Sequence, residues 1–321
     1  MMKGFLAYTI WPQVVLPIRA RLDHAYVILR PNYVFPNVSA RDCVVIVHGA
    51  SASYTKVLDH LINADDLFSP LVNASYHWVL RRYICLALVH AKAMILPIEK
   101  LRSLTLQVTP QVVTPVIVVP WGVTRNWMDP PPLFDVDAND RSSPLYLLCA
   151  DPHHYKPIAP ISEVLTSYRY PAIGARHTTA TRTMTVRVVV HRSASRDNAP
   201  GVEHRGRVSD EALARLHRGA SPTIIPMTNS GFGLPVPEAL ASGCPCILRT
   251  GTAEAEIAAG HGVYAVGGEI ASWVDATKDR LRDPLGRKEP PRDGYSCARL
   301  YSWERTGPKL ADSINMLPQE Q

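Results

Sequence analysis

Short, uninterrupted runs of apolar and mostly β-branched residues recur along the chain, each bounded by turn or helix signals. Continuous apolarity without alternation is typical of a strand that is buried on both faces, as in a parallel sheet covered by helices. The runs that predict such strands are Cys43–Val47, Val116–Val119, Leu145–Cys149, Val186–Val190, Thr223–Ile225 and Cys246–Leu248.

Helical patterns occupy part of the sequence between these runs. Apolar residues recur at helical spacing over residues 78–93. Ser209 is a favourable N-cap for a further helix that ends at Gly219, since two acidic residues follow it in the first turn. Residues 169–185 have no clear periodicity. The alternation of strands and helices predicts an α/β protein.

A change of composition marks the expected domain boundary. Residues 126–143 are rich in Pro, Asp, Asn and Ser, which is typical of a linker, and a fresh strand follows them. We therefore expect a first domain over residues 1–125, a linker over 126–143 and a second domain over 144–300. Residues 301–321 are expected to form a final helix that crosses back onto the first domain.

Composition and charge exclude several classes of protein. Of the 321 residues, 46% are hydrophobic and 19% are charged, which excludes a disordered chain, a collagen-like fibre and a small disulfide-stapled scaffold. The net charge of +6 comes without a dense basic block, so it fits an anionic small substrate better than nucleic acid. Neither a secretory signal nor a membrane span is expected, which predicts a cytoplasmic protein for which peripheral membrane contact stays open.

The cysteines do not indicate a metal centre. Three of the six, Cys43, Cys85 and Cys149, lie in apolar runs, where a buried reduced thiol is the ordinary interpretation. Cys244 and Cys246 have one residue between them, which is shorter than the spacing of a zinc knuckle. We therefore expect no bound metal.

The most informative segment is GRVSDEALARLHRGASPTIIPMTNSGFGLPVPEALASGCPCI, over residues 206–247. It predicts a helix, a strand, a glycine-bearing loop, and a second helix that opens with Pro235 and Pro237 and closes at Gly243. A loop that leads into a helix start can bind an anion, because free backbone N–H groups and the positive end of the helix dipole meet there. An ordinary strand-to-helix turn of an α/β domain has the same local form.

The same segment resembles the donor-site signature of glycosyltransferase family 4. VSDEALARLHRGA and SGFGLPVPEALASGCPCI follow the family pattern in sequence and spacing. Outside the segment, CVVIVHGAS, VIVVPWGV, LYLLCADPHHYKP and ARLYSWERTGPKLADSIN resemble the family's other strands and its closing helix, in the same order. The segment YVILRPNYVFP also resembles one of the family's strands.

The resemblance implies the GT-B fold, with two Rossmann-like parallel-sheet domains facing a cleft. It implies that Glu238 binds the nucleotide ribose, that Lys156 binds the diphosphate, and that His48 contacts the donor sugar; these three are the expected catalytic groups. The residues that it implies for donor binding are Ser230, Gly231, Phe232, Gly233, Leu234 and Glu238.

The sequence departs from the family pattern at three places. Ser230 stands where the family has the first of two glutamates, so the carboxylate that binds the sugar hydroxyls in the family is replaced by an uncharged hydroxyl. Ala150 stands where the family has an arginine that pairs with the lysine at position 156. The family's first strand and glycine-rich loop have no counterpart, so we expect an incomplete N-terminal domain.

The resemblance implies a retaining transferase that moves mannose or glucose from a GDP- or UDP-linked donor to a glycan or lipid-linked hydroxyl acceptor. It implies no cofactor and no metal. Two alternatives stay open: a non-catalytic relative that binds a nucleotide or a partner transferase, and a truncated product. A general dinucleotide-binding module is disfavoured, because no G-x-G-x-x-G follows a predicted strand.

Overall fold

The computed structural model describes residues 15–25, 27–30, 43–47, 90–108, 113–128, 146–150, 187–191, 202–206, 208–220, 222–226, 231–265, 269–282 and 292–318. The chain divides into two compact units. The first contains residues 1–121, 229–232 and 306–321, and the second contains residues 122–228 and 233–305. Of the predicted linker, the structure describes only residues 126–128, and the expected domain boundaries stay predictions.

The first unit is built on a parallel four-stranded sheet. Its strands lie side by side in chain order, and the two central ones are completely buried, as their continuous apolarity predicts. The strands are β1 (Ile28–Arg30), β2 (Cys43–Ile46), β3 (Ala93–Leu96) and β4 (Val116–Val118).

Strand β3 corrects the helix predicted over residues 78–93. The described part begins at His90, which is helical, but Ala93 already pairs with Val44 as the first residue of a strand. Residues 93–96 are apolar and fully buried, and a short run of this kind fits a buried strand and a buried helix end equally well. The rest of the predicted helix lies outside the described residues.

The second unit is built on a parallel six-stranded sheet. The strand order is β10-β9-β8-β5-β6-β7, so β8 lies between β9 and β5. The strands are β5 (Tyr146–Ala150), β6 (Arg187–His191), β7 (Val202–Gly206), β8 (Thr223–Ile225), β9 (Cys246–Arg249) and β10 (Val263–Ala265). The six predicted strands of the chain are thus confirmed to within a residue or so at their ends.

Helices connect or flank these strands in the described part of the chain. The predicted helix after Ser209 is confirmed, and the Ser209 hydroxyl caps it by accepting a hydrogen bond from the N–H of Ala212 at 3.3 Å. The helices are α1 (Leu16–Leu22), α2 (Glu99–Val108), α3 (Arg125–Met128), α4 (Asp210–Gly219), α5 (Pro235–Ala241), α6 (Ala253–Ala258), α7 (Ile270–Arg282), α8 (Arg292–Ala298) and α9 (Trp303–Asn315).

The last helix begins one residue after Ser302. Most of its length belongs to the first unit, and the hydroxyl of Thr306 donates a 2.7 Å hydrogen bond to the carbonyl of Pro120 in that unit. Its side chain is buried. Thr306 thus satisfies a backbone acceptor that no strand or helix bonds.

Within the second unit, residues 122–123 pass very close to residues 301–303. The N–H of Val123 donates to the carbonyl of Tyr301 at 2.8 Å, and Val123 forms a parallel bridge with Ser302. A Cβ placed on Gly122 would lie 2.2 Å from the backbone nitrogen of Trp303. The close approach of the two backbones therefore requires glycine at position 122.

We expect Gly122→Ala to lower the free energy of unfolding by about 2–3 kcal/mol, because backbone atoms must move to admit the methyl group. The matched control is Gly251→Ala, in the same unit. Gly251 has φ +70° and open space around it, so alanine there adds only the cost of the left-handed conformation, about 1 kcal/mol. Urea unfolding of both variants tests this, and equal losses would contradict the close approach.

Candidate functional site

Helix α5 follows a sharp turn at Gly233. This residue has φ +80°, in the left-handed region, where any residue with a Cβ is strained by about 1–2 kcal/mol. The turn directs the chain into a helix that opens with Pro235, a residue whose fixed φ suits a first helical position. The predicted loop-and-helix arrangement is therefore present.

The first turn of α5 has no N–H group left for a ligand. Pro235 and Pro237 have no N–H at all. The N–H groups of Val236 and Glu238 already donate to backbone oxygens of residues 233 and 234, at 2.9 and 3.1 Å. The prolines and the tight turn use up the donors of the helix itself, which leaves the positive end of the helix dipole and the N–H groups of the preceding loop.

Free donors lie instead in the loop before the helix. Among the described residues, the N–H groups of Gly231, Gly233 and Leu234 have no backbone partner. Gly231 is half-buried and Leu234 is exposed, whereas Phe232 between them is 4% exposed and anchors the loop. Two successive N–H groups at a glycine in the left-handed conformation make a concavity that suits an anion.

Glu238 lies in the first turn of α5 on its half-exposed side. The residues around it on this helix, Val236, Pro237, Ala239 and Leu240, are buried. A carboxylate in this position follows the loop donors by a single turn and can accept hydrogen bonds from a ligand held by them.

The remaining sequence-predicted site residues, His48, Lys156 and Ser230, lie outside the described residues. Their roles stay predictions. In sequence, His48 follows the buried strand β2 by two residues, and Lys156 follows the end of β5 by six.

Sequence analysis missed a charged residue that lies where the strands of the second sheet end. Because all six strands are parallel, β5, β8 and β9 end side by side, with Ala150, Ile225 and Arg249 as their last residues. Sequence analysis ended the last of these strands at Leu248. The strand includes Arg249, which is half-buried. The sequence feature that could have identified this residue is a cation directly after the buried run Cys246–Leu248.

A buried polar chain supports α5 and β9 from within the second unit. Nδ1 of His217 lies 2.9 Å from the hydroxyl of Thr223, and this hydroxyl lies 3.2 Å from Sγ of Cys244. All three side chains are at most 2% exposed. The ring of His217 also packs edge-on against Trp127, with centroids 5.7 Å apart.

Burial controls the protonation of the thiols in this region. Loss of solvation raises the pKa of Cys244 to about 12, although its hydrogen bonds with Thr223 oppose the shift. Loss of solvation, followed by the neighbouring Cys244 and Cys297, also raises the pKa of Cys246. These thiols are therefore neutral core groups near neutral pH. No group of three or more metal-ligating side chains occurs among the described residues.

Comparisons with known proteins identify the segment that carries the loop. A family model described as "Glycosyl transferases group 1" matches residues 180–283. A D-inositol 3-phosphate glycosyltransferase from Corynebacterium glutamicum is 34% identical over 121 residues, covering 36% of this chain and 29% of the relative. O-antigen chain mannosyltransferase B from Escherichia coli is 26% identical over 116 residues, covering 36% of this chain and 30% of that protein. The matches thus span less than a third of the length of these curated relatives.

Solved structures resemble the chain over most of its length. A sucrose-phosphate synthase from Thermosynechococcus elongatus has a TM-score of 0.66 at 13% identity, covering 94% of this chain and 76% of that one. Anabaena HepE, in complex with UDP and glucose, has a TM-score of 0.61 at 14% identity, covering 86% and 72%. These likenesses concern the fold, which is the α/β GT-B fold of glycosyltransferases.

Residues 180–283 match the group 1 glycosyltransferase model, and the curated relatives that resemble this chain are glycosyltransferases. The predicted resemblance to this family and the predicted fold are confirmed. A search of the described residues for helices long and apolar enough to cross a membrane finds none.

The raised pKa of Cys244 predicts that the folded protein loses stability at alkaline pH. In the unfolded chain the thiol has its ordinary pKa of 9.0, and in the folded chain a pKa of about 12. The unfolded state therefore releases the proton first, so stability is complete below about pH 9 and falls as the pH rises toward about 12.

We expect Cys244→Ala to be less stable than the parent near neutral pH but to lose less stability between about pH 8 and about pH 10. Tyr301 also titrates at alkaline pH, but it is present in both proteins and its contribution cancels in the comparison. The substitution also removes a neighbour that raises the pKa of Cys246, which changes the pH dependence in the same direction. Urea unfolding at the two pH values measures the difference. The same loss in both proteins would contradict the burial of this thiol.

Proposed function

We propose that the chain is a retaining glycosyltransferase that moves a hexose from a nucleotide diphosphate sugar to a hydroxyl group of a glycan or lipid-linked acceptor. One observation carries the proposal: within the family match, loop donors at Gly233 and Leu234 are followed by Glu238 one turn later. The loop suits a diphosphate, and the carboxylate suits the vicinal hydroxyls of a ribose.

Each proposed residue has a distinct task. The loop N–H groups and the Lys156 ammonium neutralise the diphosphate, Glu238 accepts hydrogen bonds from the ribose, and Ser230 and His48 contact the sugar. Stabilising the charge that develops on the departing diphosphate is the main electrostatic contribution to the rate. The proposed reaction uses no cofactor and no metal.

The proposed transfer breaks one bond and forms one. The bond between the anomeric carbon and the diphosphate oxygen breaks, and its electron pair leaves with the diphosphate. The acceptor oxygen bonds to the same face of the anomeric carbon, and its proton passes to the departing diphosphate. The products are a glycoside and a nucleoside diphosphate.

The names of similar proteins support a hexose donor. HepE was solved with UDP and glucose, and a trehalose-phosphate synthase from Burkholderia xenovorans with a TM-score of 0.54 is described as UDP-forming. The Escherichia coli relative is a mannosyltransferase. We therefore propose UDP- or GDP-linked glucose or mannose as the donor, used in the cytoplasm.

A second candidate function is a non-catalytic relative that keeps nucleotide binding. It is favoured by Ser230, which replaces the first family glutamate, and by Ala150, which ends strand β5 without a cation. Such a protein would bind a nucleoside diphosphate as tightly as it binds the complete nucleotide sugar.

Calorimetric titration with UDP, GDP and their glucose and mannose derivatives tests the proposal. We expect Glu238→Ala to weaken the free nucleotide and the nucleotide sugar alike, by about 1–3 kcal/mol, because it removes the ribose contact. Ser230→Glu should tighten only the nucleotide sugar, because it adds a carboxylate at the sugar hydroxyls.

The matched control is Glu211→Ala. Glu211 is likewise an acidic residue in the first turn of a helix of the second unit, but it is exposed on α4. It should leave both affinities unchanged. A folded parent protein that binds none of these ligands would overturn the proposed donor site. Equal affinity for free nucleotide and nucleotide sugar, without transfer or donor hydrolysis, would favour the non-catalytic relative.

A further inference from the structure

Arg249 is a cation at the ligand-binding edge of the second sheet. It is the last residue of β9, and in open parallel α/β sheets ligands bind outside the carboxyl ends of the strands. The three residues before it on the strand are buried, and Arg249 itself is half-buried. An arginine in this position is partly desolvated without being enclosed in the core.

No anionic group of the described chain neutralises Arg249. The ion pairs of Arg19 with Asp23 and of Arg102 with Glu99 lie in the other unit and do not involve it. Across the described residues, the Arg249 guanidinium has no hydrogen-bond or ion-pair partner; only its backbone carbonyl accepts, from the hydroxyl of Thr252 at 2.9 Å. A partly desolvated cation without a partner favours an anion from outside the chain.

The position of β9 brings this cation next to the proposed diphosphate site. Strand β9 pairs directly with β8, through Ile225 and Leu248, and β8 is the strand that leads into the glycine loop. The strand beyond β8 is β5, which ends at Ala150. Two strand spacings of about 4.8 Å separate β5 from β9, so the two strand ends are about 10 Å apart.

We infer that Arg249 binds the diphosphate of the donor and supplies from β9 the guanidinium that is missing at the end of β5. The inference rests on the proposed function and adds a residue to it. Arginine suits this task because its planar guanidinium donates two parallel hydrogen bonds to phosphate oxygens, whereas lysine offers a single point charge.

Three variants of the complete chain test the inference by titration with UDP and GDP. We expect Arg249→Gln to weaken nucleoside diphosphate binding about 10- to 100-fold, since hydrogen bonds to charged groups are lost. Arg249→Lys keeps the charge and should retain part of the affinity. The control Arg299→Gln removes an exposed arginine of the same unit and should bind like the parent protein.

Salt and thermal stability separate ligand binding from a structural role. Raising the ionic strength should weaken binding by the parent more than binding by Arg249→Gln, because one charged contact is already absent from the variant. The melting temperature of Arg249→Gln should stay that of the Arg299→Gln control.

The contradicting outcomes are distinct. If the parent binds UDP or GDP and Arg249→Gln binds equally well, the inference is overturned while the proposed function stands. If Arg249→Gln loses affinity only together with a lowered melting temperature, Arg249 is a packing residue and the inference is likewise overturned. If the folded parent binds no nucleoside diphosphate, both the proposed function and the inference are overturned.

Discussion

The parallel pairing of β5, β8 and β9 is the constraint on which the second unit depends. Parallel strands end at one edge of the sheet, so this pairing alone brings the ends of β5, β8 and β9 together, with Arg249 as the last residue of β9. The buried thiol and hydroxyl groups of Cys244 and Thr223 hold the opposite end of β8 and β9 in register. The chemistry at one edge thus relies on packing at the other.

The two prolines of α5 leave backbone N–H groups without a backbone partner in the loop before the helix and not in its first turn. A helix start normally leaves several N–H groups unpaired. Here Pro235 and Pro237 remove two of them, and the N–H groups of Val236 and Glu238 turn back onto the loop. The prolines also fix the direction of the helix, so Glu238 has a defined position relative to the loop donors. Rigidity of this kind lowers the entropy cost of binding a ligand.

The sequence predicts the buried strands well, because burial on both faces requires continuous apolarity. It fails where burial and periodicity do not distinguish the alternatives. The helical pattern over residues 78–93 ends at Ala93, which is instead the first residue of strand β3. The edge strand Val202–Gly206 has a polar sequence that gives no strand signal. For the site, the glycine loop and Glu238 follow from the motif. The proposed role of Arg249 does not, because it depends on which strands are neighbours, and strand order is a property of the fold.

Hydrogen–deuterium exchange with and without saturating UDP or GDP tests most directly the central proposal that the N–H groups of Gly233 and Leu234 and the end of β9, all in the second unit, form one anion site. Ligand binding to backbone N–H groups slows their exchange. The predicted result is slower exchange at residues 233–234 and around Arg249, with little change in the first sheet. Unchanged exchange at the loop and at the end of β9, with protection elsewhere in the chain, would contradict the claim.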